Sequence, residues 1–260
     1  MKAPASPART GRVNLYAEVR GLVRVDGDIK GFTPATVEEL HPGLHWVSAE
    51  YDGYASDITR TMPVSGRFDT RQREIYDIVL GALTTATAAM KPGISFRDVH
   101  FIACREIATG LKDLGIMKGD VDEAVAAGAH AICMPHGLGH MMGLDVHDME
   151  NLGEDFVGYT DTIKRSTQFG RHKLRLARKL EPGFVLTVEP GIYFISQLMA
   201  QWKASGKFDA FVDFKKVETY MGFGGVRIED DVLVTSDGCE VLSRSAPKVP
   251  AAIEAVMRRQ

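Results

Sequence analysis

Three of the chain's eight histidines, His136, His140 and His147, fall in the stretch Met134-Pro-His-Gly-Leu-Gly-His-Met-Met-Gly-Leu-Asp-Val-His-Asp148. The glycines between them let backbone or ligand approach closely. Elsewhere Asp57, Glu189 and Glu229 stand within apolar segments, where an unpaired carboxylate is costly. With His140 they make an oxygen-rich set holding one nitrogen, which favours Mn²⁺, Fe²⁺ or Co²⁺ over a structural zinc. Carboxylates that can bridge suit two metals about 3.5–4 Å apart with a water between them. The plain alternative for either glutamate is a salt bridge, and Arg227 is an available partner for Glu229. Met141 and Met142 read as packing residues, and Cys133 as a small buried one rather than a nucleophile.

These residues need elements to hold them. His45–Tyr51 and Tyr54–Met62 are strand-like and flank Asp52-Gly53, a strong hairpin signal, so Trp46, Ser48, Glu50, Asp57 and Thr59 are expected on one face. Strands are expected over Phe184–Glu189, with Val185, Thr187 and Glu189 on one face, and over Gly225–Val234, with Arg227 and Glu229 together. A helix starts at Thr70 and stops at Lys91-Pro92-Gly93. Ser95 and Asp98 form a capping-box pattern for a second, which Gly115 ends. Asp120 caps a third through Ala127, and a last helix lies near Pro250–Met257. Residues before Leu44 read as irregular, apart from a strand at Leu22–Val25 and a short helical turn at Ala35–Leu40. Strands mixed with helix pairs point to an α+β fold.

Bulk composition excludes several classes. The chain is 45% hydrophobic and 25% charged with a net charge of -3, which gives no support to a nucleic-acid or membrane partner. The basic run Lys164–Lys179 reads as a solvated helix or loop. Cys104, Cys133 and Cys239 are far apart and form no paired motif, which fits a reducing compartment such as the cytoplasm. No apolar run approaches membrane-spanning length, and the basic opening is followed by no apolar signal region. Gly137-x-Gly-x-x-x-Gly143 is followed by Leu144-Asp-Val-His-Asp148, which starts no helix, so a dinucleotide-binding reading fails.

Five motifs in order carry a family resemblance: Tyr54-Ala-Ser-Asp-Ile-Thr-Arg-Thr61, His136-Gly-Leu-Gly-His140, Gly143-Leu-Asp-Val-His-Asp148, Val188-Glu-Pro-Gly-Ile-Tyr193 and Val226-Arg-Ile-Glu-Asp230. From about Ala49 to Ser243 the chain resembles the pita-bread (creatinase/aminopeptidase) metallopeptidases, and within them Xaa-Pro aminopeptidase (aminopeptidase P) and prolidase. The resemblance implies that Asp57 and Glu229 bridge two divalent metals, with Mn²⁺ expected and Co²⁺, Fe²⁺ or Zn²⁺ as substitutes. His140 and Glu189 would complete one of them, and Glu189 would act as general base on the bridging water. His136 and His147 would bind substrate and stabilise the intermediate or shuttle a proton, with Tyr193 and Arg227 supporting the ligands. The implied substrate is a peptide with proline second, and a homo-oligomer is left open.

Two departures qualify the resemblance. The family's first carboxylate ligand falls at Trp46, which cannot ligate a metal, so one bound metal instead of two is an expectation. Residues 1–45 read as a divergent or irregular N-terminal segment before a pita-bread domain over 46–260 whose first helical half is incomplete. The runner-up readings are an impaired relative serving as a binding module and a creatinase-like C–N hydrolase.

Overall fold

A computed structural model describes residues 11–15, 22–26, 28–32, 35–40, 47–50 and 53–258. Among the described residues five strands precede the helices, the first four being β1 (Gly11–Leu15), β2 (Leu22–Val25), β3 (Asp28–Phe32) and β4 (Ala35–Leu40). Leu22–Val25 is thus the strand expected. Ala35–Leu40 is a strand and not a helical turn, because it pairs antiparallel with β1. Strand β5 (Val47–Glu50) also forms, yet its partner is β2, with Ser48 opposite Arg24. The turn expected at Asp52-Gly53 lies partly outside the described residues, since Tyr51 and Asp52 are not described. Residues 55–62 take no regular strand; they follow the chain at residues 227–231 instead, as described below.

Helix α1 (Thr70–Ala89) opens on a reciprocal capping box between Asp69 and Gln72. Helix α2 (Phe96–Asp113) has Ser95 as its cap, whose side chain accepts from the Asp98 N–H, half of the box that the sequence suggests. Asp120 caps α3 (Val121–Ala127) in the same way, and Gly128 ends it at a φ of 87°, a left-handed position that suits glycine. Ile75, Tyr76, Val79, Leu83 and Ala86 of α1 and Val99, Ala103, Ile107 and Leu111 of α2 lie in one continuous core. That core runs on through Leu138, Leu186, Val188, Ile192, Val226, Ile228 and Val232, so the helices back the segments that carry the acids.

The acid-bearing strands are short and broken at the acids. Strand β6 (Val185–Val188) stops before Glu189, and β7 (Gly191–Tyr193) resumes after Pro190. The single strand expected over Gly225–Val234 is likewise split into β8 (Gly225–Arg227) and β9 (Asp230–Val234), with Ile228 and Glu229 between. Strand β6 pairs with β9, and β9 with β10 (Cys239–Val241), while β7 pairs with β8, all antiparallel. The break has a local cause. Pro190 has no N–H to give, and the N–H groups of Glu189 and Glu229 leave the ladder for Leu138 O at 2.7 Å and Thr59 O at 3.0 Å. Short helices stand among the irregular connecting segments: α4 (Glu154–Gly158), α5 (Ser196–Ala204), α6 (Phe214–Glu218) and α7 (Pro250–Met257). The basic run is laced to acids, with Arg165 on Glu154 and Asp155 and Arg175 on Glu150. Among the described residues no helix is long and apolar enough to cross a membrane.

Candidate metal centre

Those diverted backbone bonds draw four segments together. The 138–142 segment runs beside β6: Thr187 N–H donates to His140 O at 3.0 Å, and His140 N–H donates back to the Thr187 hydroxyl at 3.1 Å. This approach requires glycine at 139, where a Cβ would stand 2.0 Å from Thr187 O. The Asp57 segment is held at three points. Ala55 N–H donates to Gly143 O at 3.0 Å, Asp57 N–H to the Asp231 carboxylate at 3.3 Å, and Glu229 N–H to Thr59 O at 3.0 Å. Arg60 fastens the far side, giving its guanidinium to Glu229 O, the Asp230 carboxylate, Pro247 O and Ala246 O. Asp230 also accepts from Ser243 and Lys248, so the residues before α7 are stitched to the back of Glu229.

At the front, His140 Nε2 lies 3.5 Å from both Asp57 Oδ2 and Glu189 Oε1, while its Nδ1 faces Met141 O at 3.0 Å. Glu229 accepts from the Thr59 hydroxyl at 2.5 Å, and Arg227 Nε donates to the same hydroxyl at 3.1 Å. Arg227 also stands 3.9 Å from Glu189 and 3.7 Å from Glu229. Donor atoms of His140, Glu189 and Glu229 lie within 4.8 Å of one another, as do those of Asp57, His140 and His147. His147 is exposed, with its ring edge-on to His140 at 4.4 Å. His136 is half-buried against Tyr193, ring centroids 5.5 Å apart, and its Nδ1 is 2.7 Å from Gly137 O. Asp57, His140, Glu189, Glu229, His147 and Arg227 therefore converge, and Tyr193, hydrogen-bonded to Arg227, brings His136 beside them. Trp46 lies outside the described residues, as does the side chain of Glu50.

The electrostatics are those of crowded acids. Burial, and then Glu189 and Asp57, raise the Glu229 pKa well above the usual carboxylate range. Burial likewise lifts Asp231 to about 7. His140 would be lowered by burial, but Asp57 and Glu189 facing it outweigh that and raise it. Burial, followed by the neighbouring His140, pushes His147 down to about 4. Two buried carboxylate oxygens, Asp57 Oδ2 and Glu229 Oε1, have no hydrogen-bond partner. Orphaned acceptors around an imidazole fit a cation, which would satisfy both and reverse the repulsion that raises Glu229. Asp231, Thr59 and Arg60 escaped sequence reasoning in these roles; their signal was adjacency to Glu229 and Asp57 inside the motifs.

Metallopeptidase family M24 matches residues 28–236. The chain belongs to this family. Its match begins before residue 46, inside the segment that the sequence set apart. The M24 chain is 42% identical to human Xaa-Pro dipeptidase over 85% of its length, and covers 43% of that protein. It is 43% identical to Escherichia coli Xaa-Pro aminopeptidase over 80% of its length, covering 39% of it. A solved structure of zinc-substituted E. coli aminopeptidase P in complex with product superposes with a TM-score of 0.63 at 39% identity, over 94% of this chain and 48% of that one. The architecture is thus the pita-bread fold, and the chain spans about two-fifths of the curated relatives' length.

Proposed function

We propose that this M24 chain is a metal-dependent aminopeptidase that hydrolyses the bond between an N-terminal residue and a following proline. The observation that carries the reading is the pair of orphaned buried oxygens, Asp57 Oδ2 and Glu229 Oε1, beside His140. Relatives named for Xaa-Pro peptides supply the substrate class. Asp57, His140, Glu189 and Glu229 would hold the cation, Mn²⁺ first among candidates. A bound dication supplies Lewis acidity and a water acidic enough to attack at neutral pH. One metal per chain is the stoichiometry favoured by Trp46.

The chain's own residues divide the remaining work by exposure. Asp57 and Glu229 are sealed off, whereas the Glu189 side chain is 14% exposed, so it is the carboxylate that reaches water and takes its proton. Thr59 fixes Glu229, and Arg227 holds Thr59, which sets the ligand orientation. Uncharged at neutral pH, His147 can give a hydrogen bond to a developing oxyanion or accept a proton from it. His136 presents an unpartnered Nε2 for substrate. All three cysteines are free, which fits the cytoplasm as the compartment.

The test is turnover of a short Xaa-Pro peptide by the purified chain with Mn²⁺, beside Glu189→Ala. Turnover that the substitution abolishes supports the reading. A folded chain that cleaves no such peptide overturns it.

A further inference from the structure

A second group of donors lies apart from the carboxylates. His100 and Cys104 sit four residues apart on α2 and so share one helical face. Across from them is His130, in a short 3₁₀ turn, Ala129–Ile132, that follows α3 and leads into the segment carrying His136 and His140. One donor atom from each of the three lies within 4.8 Å of the others, and all three residues are 1% exposed or less. The His130 Nδ1 is buried with no partner, and Cys104 Sγ lies 3.4 Å from one His100 nitrogen and 3.8 Å from the other.

We propose that His100, Cys104 and His130 form a second metal site, which takes a soft monovalent cation, Cu⁺. Metal–sulfur and metal–nitrogen bonds of about 2.3 and 2.0–2.1 Å place a sulfur and a nitrogen on one metal about 3.5 Å apart. That spacing is for a tetrahedral angle and widens to about 3.8 Å for a planar three-coordinate metal; the two His100 nitrogens stand 3.4 and 3.8 Å from Cys104 Sγ, which spans both. Sulfur and imidazole select Cu⁺ or Zn²⁺ over hard ions. Two features then favour Cu⁺. The group offers three donors and no carboxylate, whereas structural zinc almost always takes four.

The second feature is charge. A cavity of about 300 Å³ that adjoins the group has three bases in its lining, Arg97, Lys164 and Arg171, against one acid, Asp98. Its bases repel a dication about twice as strongly as a monocation. Loading exchanges one proton for one cation: the Cys104 S–H bond breaks, an S–Cu bond forms, and a proton leaves with no change of oxidation state. Burial keeps His100 and His130 neutral at pH 7, with lone pairs free to bind. The filled site would pin α2 to the turn before His136. It stands independently of the peptidase reading.

The experiment is an anaerobic titration of the whole chain with Cu⁺ against the chelator bicinchoninate, with copper K-edge absorption on the loaded protein. The expected result is one retained equivalent whose shell holds one sulfur and two nitrogens. It is lost in Cys104→Ala and kept in Cys133→Ala and Cys239→Ala. His100→Asn serves as a second variant should Cys104→Ala not fold, while the wild-type absorption spectrum requires no variant. A chain that retains no Cu⁺, a shell without sulfur, or equal retention by folded Cys104→Ala would overturn the site. Sulfur-bound Zn²⁺ that withstands equimolar Cu⁺ would overturn the monovalent assignment.

Discussion

Burial acts on two donor clusters in this chain and drives them in opposite electrical directions. Around Glu229 it favours the protonated acid and leaves carboxylate oxygens without partners. Around His130 it favours the unprotonated base, holding that imidazole at about 4. The first cluster reaches solvent through Glu189 and His147, and the second is closed. Low dielectric thus penalises charge in both, raising Glu229 in one and lowering His100 and His130 in the other, so oxygen donors suited to a hard dication stand in the first and lone pairs suited to a soft ion in the second. Chemistry with water is possible only where one ligand is exposed.

The largest expected separation is in turnover. Glu189→Gln keeps the shape and removes the base, so Xaa-Pro turnover should fall by about 10²–10⁴-fold, whereas Cys104→Ala should leave it within about twofold. Equal losses in a rate assay of folded variants would mean that the two clusters are not functionally distinct.

Next comes pH, measured by denaturant unfolding in chelator. His130 has a folded pKa below its unfolded value, so its contribution is complete above pH 6.5 and is lost as pH falls towards 4, by about 3 kcal/mol. Asp231 has a folded pKa raised to about 7, so its cost is absent below about pH 4 and grows to about 4 kcal/mol as pH rises to 7. The two slopes oppose each other across one window. Asp231→Asn, which keeps an acceptor for Asp57 N–H, should stabilise at pH 7 and steepen the acid loss; a curve parallel to wild type would break the contrast.

A smaller effect is metal linkage. Mn²⁺ at about 100 times its Kd should stabilise the wild type by about 2.7 kcal/mol. In Glu229→Gln that gain should vanish while metal-free stability stays the same or rises, because the neutral isostere replaces a crowded acid. Thermal melts with and without Mn²⁺ check it, and a retained gain would remove Glu229 from the ligand set. Smallest of all, Arg105→Ala breaks the exposed Arg105–Asp122 pair between α2 and α3 and should cost no more than about 0.5 kcal/mol by denaturant midpoint. A larger loss would mean that surface charge, and not the buried thiol cluster, governs how α2 is held.

The motifs made the carboxylate cluster legible, because acids inside apolar runs are conspicuous. Helices α1, α2, α3 and α7 were legible too, since their caps and stops are local: Asp120, Ser95 and Pro92 act on residues a few positions away. What stayed hidden depends on distant pairing. Val47–Glu50 pairs with Leu22–Val25, and no local pattern announces that partner. The breaks at Glu189 and Glu229 were hidden for the same reason, as their N–H groups go to Leu138 and Thr59. His100, Cys104 and His130 were missed because the helical period explains the first two as core, and only folding brings the third beside them.

The Arg60 clamp has a consequence for how the chain is made. Asp57, His140 and Glu189 leave the ribosome well before Pro247 and Lys248, which fasten Asp230 and the backbone behind Glu229. On the proposed assignment, a nascent chain that has exposed Asp57, His140 and Glu189 still lacks the brace behind Glu229, so metal capture waits for residues 247 and 248. A protease cut near Ser245 after folding would undo the same brace while leaving Asp57, His140, Glu189 and Glu229 themselves intact.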